Sequence, residues 1–195
     1  MSGKARSRKT DARVLRTHGS LGDALVALMH EKPFDSFTVQ EVLDRAAVGR
    51  STFYSHFRGK DDLFLTDVEH FFELVSTMLT RCNDTSNRVA PVCELFSHIG
   101  DMRQFYAALV ASGKIHDVTE LGQAYLARSI EERLVALNAR PMNKAHRSAV
   151  AHALSGALFS LLSWWIAHNM QPTPAEMDAL YHQMVGCLWS ECVMP

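Results

Sequence analysis

Cysteine is scarce in this chain: four in 195 residues. None of Cys82, Cys93, Cys187 and Cys192 forms a CxxC pair or a zinc-like cluster. That spacing reads as reduced thiols acting as small apolar residues in a cytoplasmic protein, with a thiol sensor as the alternative. The ten histidines are scattered singly, so no metal and no cofactor is expected. Missing too are a P-loop, a dinucleotide glycine motif, GxSxG, HExxH and any motif-placed carboxylate pair, which makes an enzyme the weakest reading. There is no alternating strand pattern, repeat or low-complexity tract. The basic N-terminus is not followed by an apolar run, so no signal peptide is expected. What remains is a chain 47% hydrophobic with a net charge of −1, able to bury a full core and helical wherever a pattern can be recognised.

The most informative stretch runs from Thr38 to Leu63. Thr38 followed by Glu41 is a capping box, and Phe37 with Val42 has the spacing of a hydrophobic staple. A helix therefore starts at Val39 and ends near Arg45, where Ala46-Ala47-Val48-Gly49 supplies a tight turn. Gly49 is an acceptable cap for a second helix, Arg50 to Phe57. There Phe53 and Phe57 face inward, while Arg50, Ser51, Thr52, Tyr54, Ser55 and His56 are left outside. Two short helices joined in this way form a helix-turn-helix pattern.

Two charge features favour a polyanion as partner over an ordinary solvated helix. Lys60 opens the next helix at the positive end of its dipole, a placement unfavourable by ~0.3–1 kcal/mol unless an anion compensates it. Residues 1–16 carry six basic side chains against one acid, a net +5, so the rest of the chain is net −6. The basic charge is gathered beside the motif, as a nucleic-acid footprint would be.

The run Ala46, Val48, Arg50, Ser51, Thr52, Phe53, Tyr54, His56, Phe57 and Lys60 resembles the DNA-binding domain of TetR/AcrR-type transcriptional regulators, over roughly residues 13–70. Ala47 departs from the usual glycine of the turn, Gly49 from the usual Ser or Thr cap, and Leu43 from a frequent alanine. The resemblance implies that Thr38, Thr52, Tyr54, His56 and Lys60 hold phosphates and that Gln40, Arg50, Ser51 and Ser55 lie near base edges. Side-chain chemistry agrees with that division. A helix N-terminus at Thr38 suits phosphate, Arg50 suits guanine and Gln40 suits adenine.

Beyond the motif, Pro33 stops a first helix of about Asp11 to Glu31, and a long helix runs from Lys60 to about Arg81. Shorter helices follow around Pro91–Gly100 and Met102–Ser112, then one from Val118 to about Asn138. The expectation is an all-α chain of about nine helices. It would comprise a flexible basic arm (1–12), a three-helix helix-turn-helix domain (13–60) and a larger helical domain for ligand binding and dimerisation (61–195). Thr173-Pro174-Ala175-Glu176 is a second capping box. It opens a stripe of Met177, Leu180, Tyr181, Met184, Val185, Leu188 and Trp189. Before it, Asn143 to His168 carries Ala149, Ala153, Ala157 and Leu161 on one row and Val150, Leu154, Leu158 and Leu162 beside it. A buried helix explains this run better than a membrane span, because histidine and serines interrupt it.

The resemblance implies that these two helices pair with their copies in a homodimer, with Leu154, Leu158, Leu161, Leu180, Met184 and Leu188 at the interface. It also implies a palindromic operator in double-stranded DNA and release by a small effector. Aromatic and methionine side chains can line a cavity, so Phe96, Met102, Phe105, Tyr106, Tyr125, Phe159 and Trp164 are the candidates for a small apolar or aromatic effector. Trp164 and Trp165 must face different ways. The expected function is thus a ligand-released repressor. The alternative is an architectural or partner-recruiting DNA-binding protein of the same fold without an inducer.

Overall fold

The computed structural model describes the backbone of residues 3–81, 86–111, 113–137 and 142–190, with the side chains of these except 3–13, 79–81, 108, 111 and 187–190. Among the described residues there are nine α-helices and no strand. In order they are α1 (Gly3–Glu31), α2 (Val39–Ala46), α3 (Arg50–Tyr54), α4 (Lys60–Arg81), α5 (Val92–Asp101), α6 (Arg103–Ala111), α7 (Ile115–Ala136), α8 (Lys144–Ala167) and α9 (Pro174–Ser190). Of the residues expected as an arm, 3–12 are the opening turns of α1. A short 3-10 turn, Phe34–Ser36, lies between α1 and α2; Pro33 sets it up by ending α1. The second helix of the motif is shorter than its pattern suggested, because after Tyr54 the chain turns and Ser55 back-bonds to the Thr52 carbonyl at 2.6 Å.

Two compact units divide the chain. The first is residues 1–68 with 104–115, and the second is 69–103 with 116–195. In the first unit Leu21, Leu25, Leu28 and Met29 of α1 are buried, together with Val42, Leu43, Phe53, Phe57, Leu63 and Phe64. Aromatic edges order this core: Phe34 meets Phe37 and Phe64, each at 5.6 Å between centroids. The segment from α6 belongs to this core as well. Tyr106 and Leu109 are buried, Phe105 lies 6.0 Å from the His30 ring, and Lys114 pairs with Asp61 at 2.6 Å.

The second unit is built on α5 and α7–α9 with the later turns of α4. Phe72, Leu95, Phe96, Leu126, Ile130, Leu158, Trp165, Met177 and Tyr181 are its buried side chains. One close approach governs it: a Cβ added at Gly122 would lie 2.3 Å from the Phe72 ring and 2.5 Å from that of Phe159. Only hydrogen fits there. Ser155 and Tyr181 are buried but satisfied, donating to the carbonyls of Gln123 (2.9 Å) and Leu154 (3.0 Å), as buried hydroxyls must. Before α5, Arg88 bridges Glu94 and Asp178, and His182 accepts the Val89 amide at 3.1 Å. This network ties the start of α5 to α9.

The α8 helix is long and apolar enough to cross a membrane by length and composition. Its Ala151, Leu154, Leu158, Leu162 and Trp165 face are nonetheless buried in the unit. That burial corrects two interface expectations, since Leu154 and Leu158 are core residues of their own chain. The neighbouring row is the one turned outward: Ala149, Ala153, Ser160 and Trp164 are exposed and Leu161 is half-buried. On α9, Leu180 and Met184 are 41% and 43% exposed. The Leu188 side chain lies outside the described residues.

Candidate DNA-binding surface

Local hydrogen bonds place α2 and α3. The capping box is complete: the Glu41 amide donates to Thr38 Oγ1 (3.3 Å), and the Thr38 amide donates to Glu41 Oε2 (2.8 Å). Lys32 also grips Glu41. Its ammonium, ahead of the Thr38 amide and hydroxyl, holds the carboxyl down to about 2. Arg45 reaches back to Glu31 at 2.8 Å. The turn closes as Val48 N–H donates to the Leu43 carbonyl (3.1 Å) and Ala47 N–H to that of Asp44 (3.4 Å). Ala47 itself takes a left-handed conformation, φ 52°. A glycine is favoured at such a position, because an L side chain there approaches the following carbonyl.

From this base α3 presents a divided face. Phe53 and Phe57 are buried and 5.5 Å apart, while Arg50, Ser51, Thr52, Tyr54, Ser55 and His56 are all exposed. Tyr54 is 49% exposed, and the Arg50 guanidinium sits 5.8 Å from the centre of its ring. His56 stands edge-on to His18 of α1 at 5.1 Å. Thr38 and Gln40 are exposed on α2, with Gln40 donating to Asp44 at 2.8 Å. The cations and hydroxyls expected to meet DNA therefore share the outer side of this unit, with one exception.

Lys60 is the exception. Its ammonium is half-buried, donating to the carbonyls of Phe34 (2.6 Å) and Phe37 (2.9 Å). It lies over both rings, at 4.6 and 4.9 Å. The unfavourable helix dipole that suggested an external phosphate is answered from inside the fold, by two carbonyls and two aromatic faces. Lys60 pins the 3-10 turn to α4, and at most one of its N–H donors is left for another partner. Sequence reasoning missed this because the carbonyls it meets belong to a 3-10 turn that it had not anticipated.

Residues 21–66 match the family model of the bacterial regulatory proteins of the tetR family. That stretch, about a quarter of the chain, is similar to the DNA-binding segment of TetR-type regulators. The similarity in fold extends much further along the chain. A TetR transcriptional regulator from Streptococcus agalactiae superposes with a TM-score of 0.62 at 22% identity, over 92% of this chain and 98% of that one. The dihydroxyacetone kinase operon activator superposes at 0.61 with 17% identity, over 90% and 95%. Among curated proteins none matches this chain.

The seven residues expected to line an aromatic cavity differ in where the structure places them. Phe96 and Phe159 are buried core, and Phe96 packs on Trp165 at 4.9 Å. Phe105 and Tyr106 belong to the first unit, whereas Met102 belongs to the second. Trp164 points outward, 46% exposed and stacked on His168 at 4.2 Å, while Trp165 is buried and donates to the Pro172 carbonyl. Of the seven, Tyr125 alone lines the described groove. That groove, about 360 Å³, lies between α4 and α7 of the second unit, and its other walls are Glu73, Ser76, Thr77, Arg128, Ser129 and Glu132. It is of mixed polarity. The helical spacing of the aromatics reflected packing in two separate cores, a difference invisible before the fold is known.

Proposed function

We propose that this protein binds a palindromic operator as a homodimer in the cytoplasm and represses by occupying it, until a small effector favours a state that cannot. The observation that carries the reading is the divided face of α3, with two buried phenylalanines beneath an unbroken outer set of Arg50, Ser51, Thr52, Tyr54, Ser55 and His56. In the proposed complex Arg50, Ser51, Ser55 and Gln40 approach base edges, and Thr38, Thr52, Tyr54 and His56 hold phosphates. Lys60 orders that surface, and its remaining N–H is a minor phosphate contact. The dimer forms through the outward rows of α8 and α9, around Ala153, Leu161, Leu180 and Met184, where small residues allow close helix approach. A two-fold dimer supplies the paired reading heads that half-sites about one helical turn apart, ~34–36 Å, require.

The α4–α7 groove is the proposed effector site, and its mixed walls suit a small effector with an apolar or aromatic body and hydrogen-bonding groups. To switch the protein nearly completely it must bind the released state more tightly by about 5.5 kcal/mol.

Selection of duplexes from a random library by the purified protein tests the whole reading. A palindrome should emerge, and Arg50→Ala should relax one position in each half-site; no enriched sequence would overturn it. Met184→Glu should give monomers by sedimentation, whereas Leu158→Ala should leave the dimer intact while lowering stability. Enrichment of DNA that no metabolite ever displaces would favour the architectural alternative.

A further inference from the structure

Asp67 interrupts the apolar stripe of α4, one helical turn from Leu63 and Phe64 on one side and Phe71 on the other. Leu63 and Phe64 are buried in the first unit, and Asp67 is half-buried beside them. Its carboxyl lies against α1 at Gly22, where an added Cβ would stand 2.6 Å from Oδ2 and 3.0 Å from Cγ. Oδ2 is buried and has no hydrogen-bond partner. The amides of α1 at that point are spent within their own helix, so nothing there can stabilise a carboxylate.

The groups around Asp67 do not compensate it. Asp23 is the charge that α1 brings to it, and it is of the same sign. His18 of α1 is turned to the rings of His56 and Phe57. On α4 itself His70 approaches Glu73, and in the segment 104–115 Lys114 is paired with Asp61. Burial, with Asp23 adding to it, pushes the Asp67 carboxyl up to about 7.

We propose that Asp67 is a proton-operated latch between α1 and α4: protonated, it seats against Gly22, and ionised beside Asp23 it drives the two helices apart and weakens DNA binding. The proton leaves to solvent and no other group need change. α1 and the first turns of α4, to Val68, belong to the unit that carries α2 and α3, and α1 packs along α2. A displaced α1 therefore disturbs the scaffold that sets the recognition helix. The DNA consequence rests on the DNA-binding reading above; the latch itself does not.

The test uses the full-length protein and its Asp67→Asn and Asp23→Asn variants. Carboxyl carbon NMR should show Asp67 titrating near neutrality in the wild type, and at lower pH once Asp23 is neutral. Thermal melts should show wild type losing stability relative to Asp67→Asn as pH rises to neutrality. Affinity for a fluorescent duplex carrying the selected operator should fall about tenfold more in wild type than in Asp67→Asn between about pH 6 and about pH 8.5. An Asp67 carboxyl already ionised in mildly acid solution, or parallel pH profiles for wild type and Asp67→Asn, would overturn the latch. If no duplex is bound at any pH the DNA reading fails, and the carboxyl titration with the melts still decides the latch. Should Asp67→Asn fold poorly, the wild-type titration and the Asp23→Asn shift remain decisive.

Discussion

The helix-turn-helix and the helices that follow Gly122 reach their structures by opposite routes. In the first, contacts five or fewer residues apart do most of the specifying: Thr38 with Glu41, Val48 with Leu43, Phe53 with Phe57. In the second, the decisive contacts join distant segments. Gly122 lies under Phe72 and Phe159, Trp165 against Phe96, and Arg88 against Asp178. The first region keeps its polar side chains outward and available. The second spends most of its aromatics on packing and leaves a groove of mixed polarity at its surface. Exposure read from residue type therefore holds where structure is local and not where distant segments decide it.

The largest effect that should separate the two regions is at Gly122. Replacing it with alanine drives a methyl into two buried rings and should cost about 3 kcal/mol of stability in a denaturant melt. If Gly122→Ala is neutral, the second core is looser than its geometry implies. Next is Lys60. Lys60→Met keeps the bulk but removes two charge-assisted hydrogen bonds, and should lower stability by about 2 kcal/mol. Unchanged stability with a salt slope of DNA binding reduced by about one would instead return Lys60 to the phosphate contacts.

A smaller effect of opposite sign is expected at the turn. Ala47→Gly should raise stability by about 0.5–1 kcal/mol, because relief of the left-handed strain exceeds the extra entropy of glycine in the unfolded chain. Thermal melts check it, and a loss would mean that the alanine methyl packs usefully. The smallest is the acid response of the capping box. Glu41 is held down to about 2 against an ordinary 4.5, so its contribution is present above about 4.5 and is lost as pH falls toward 2. Glu41→Gln should remove that segment of the acid melt, and an unchanged profile would show that Lys32 and Thr38 hold the glutamate only weakly.

Much of the helix pattern was legible, down to the caps at Thr38 and Thr173, because capping is a local competition for free amides. The site was legible to the extent that it lies on one short helix. Asp67 left a signal in the sequence, an acid in the middle of an apolar stripe, but its meaning required Gly22 opposite it. Lys60 left a signal that pointed the wrong way. A charge set against its helix dipole shows that a partner is needed, and does not say whether that partner is DNA or a carbonyl of the same chain.

By itself the sequence determined the helices, the turn and the outward chemistry of α3, since those follow from hydrogen bonds and periodicities a few residues long. Only the tertiary structure decided which apolar row of α8 is core and which is surface, where α6 belongs, what Lys60 holds and what Asp67 lacks. Each of those depends on which distant backbone or ring comes within a few ångströms, and no local pattern carries that information.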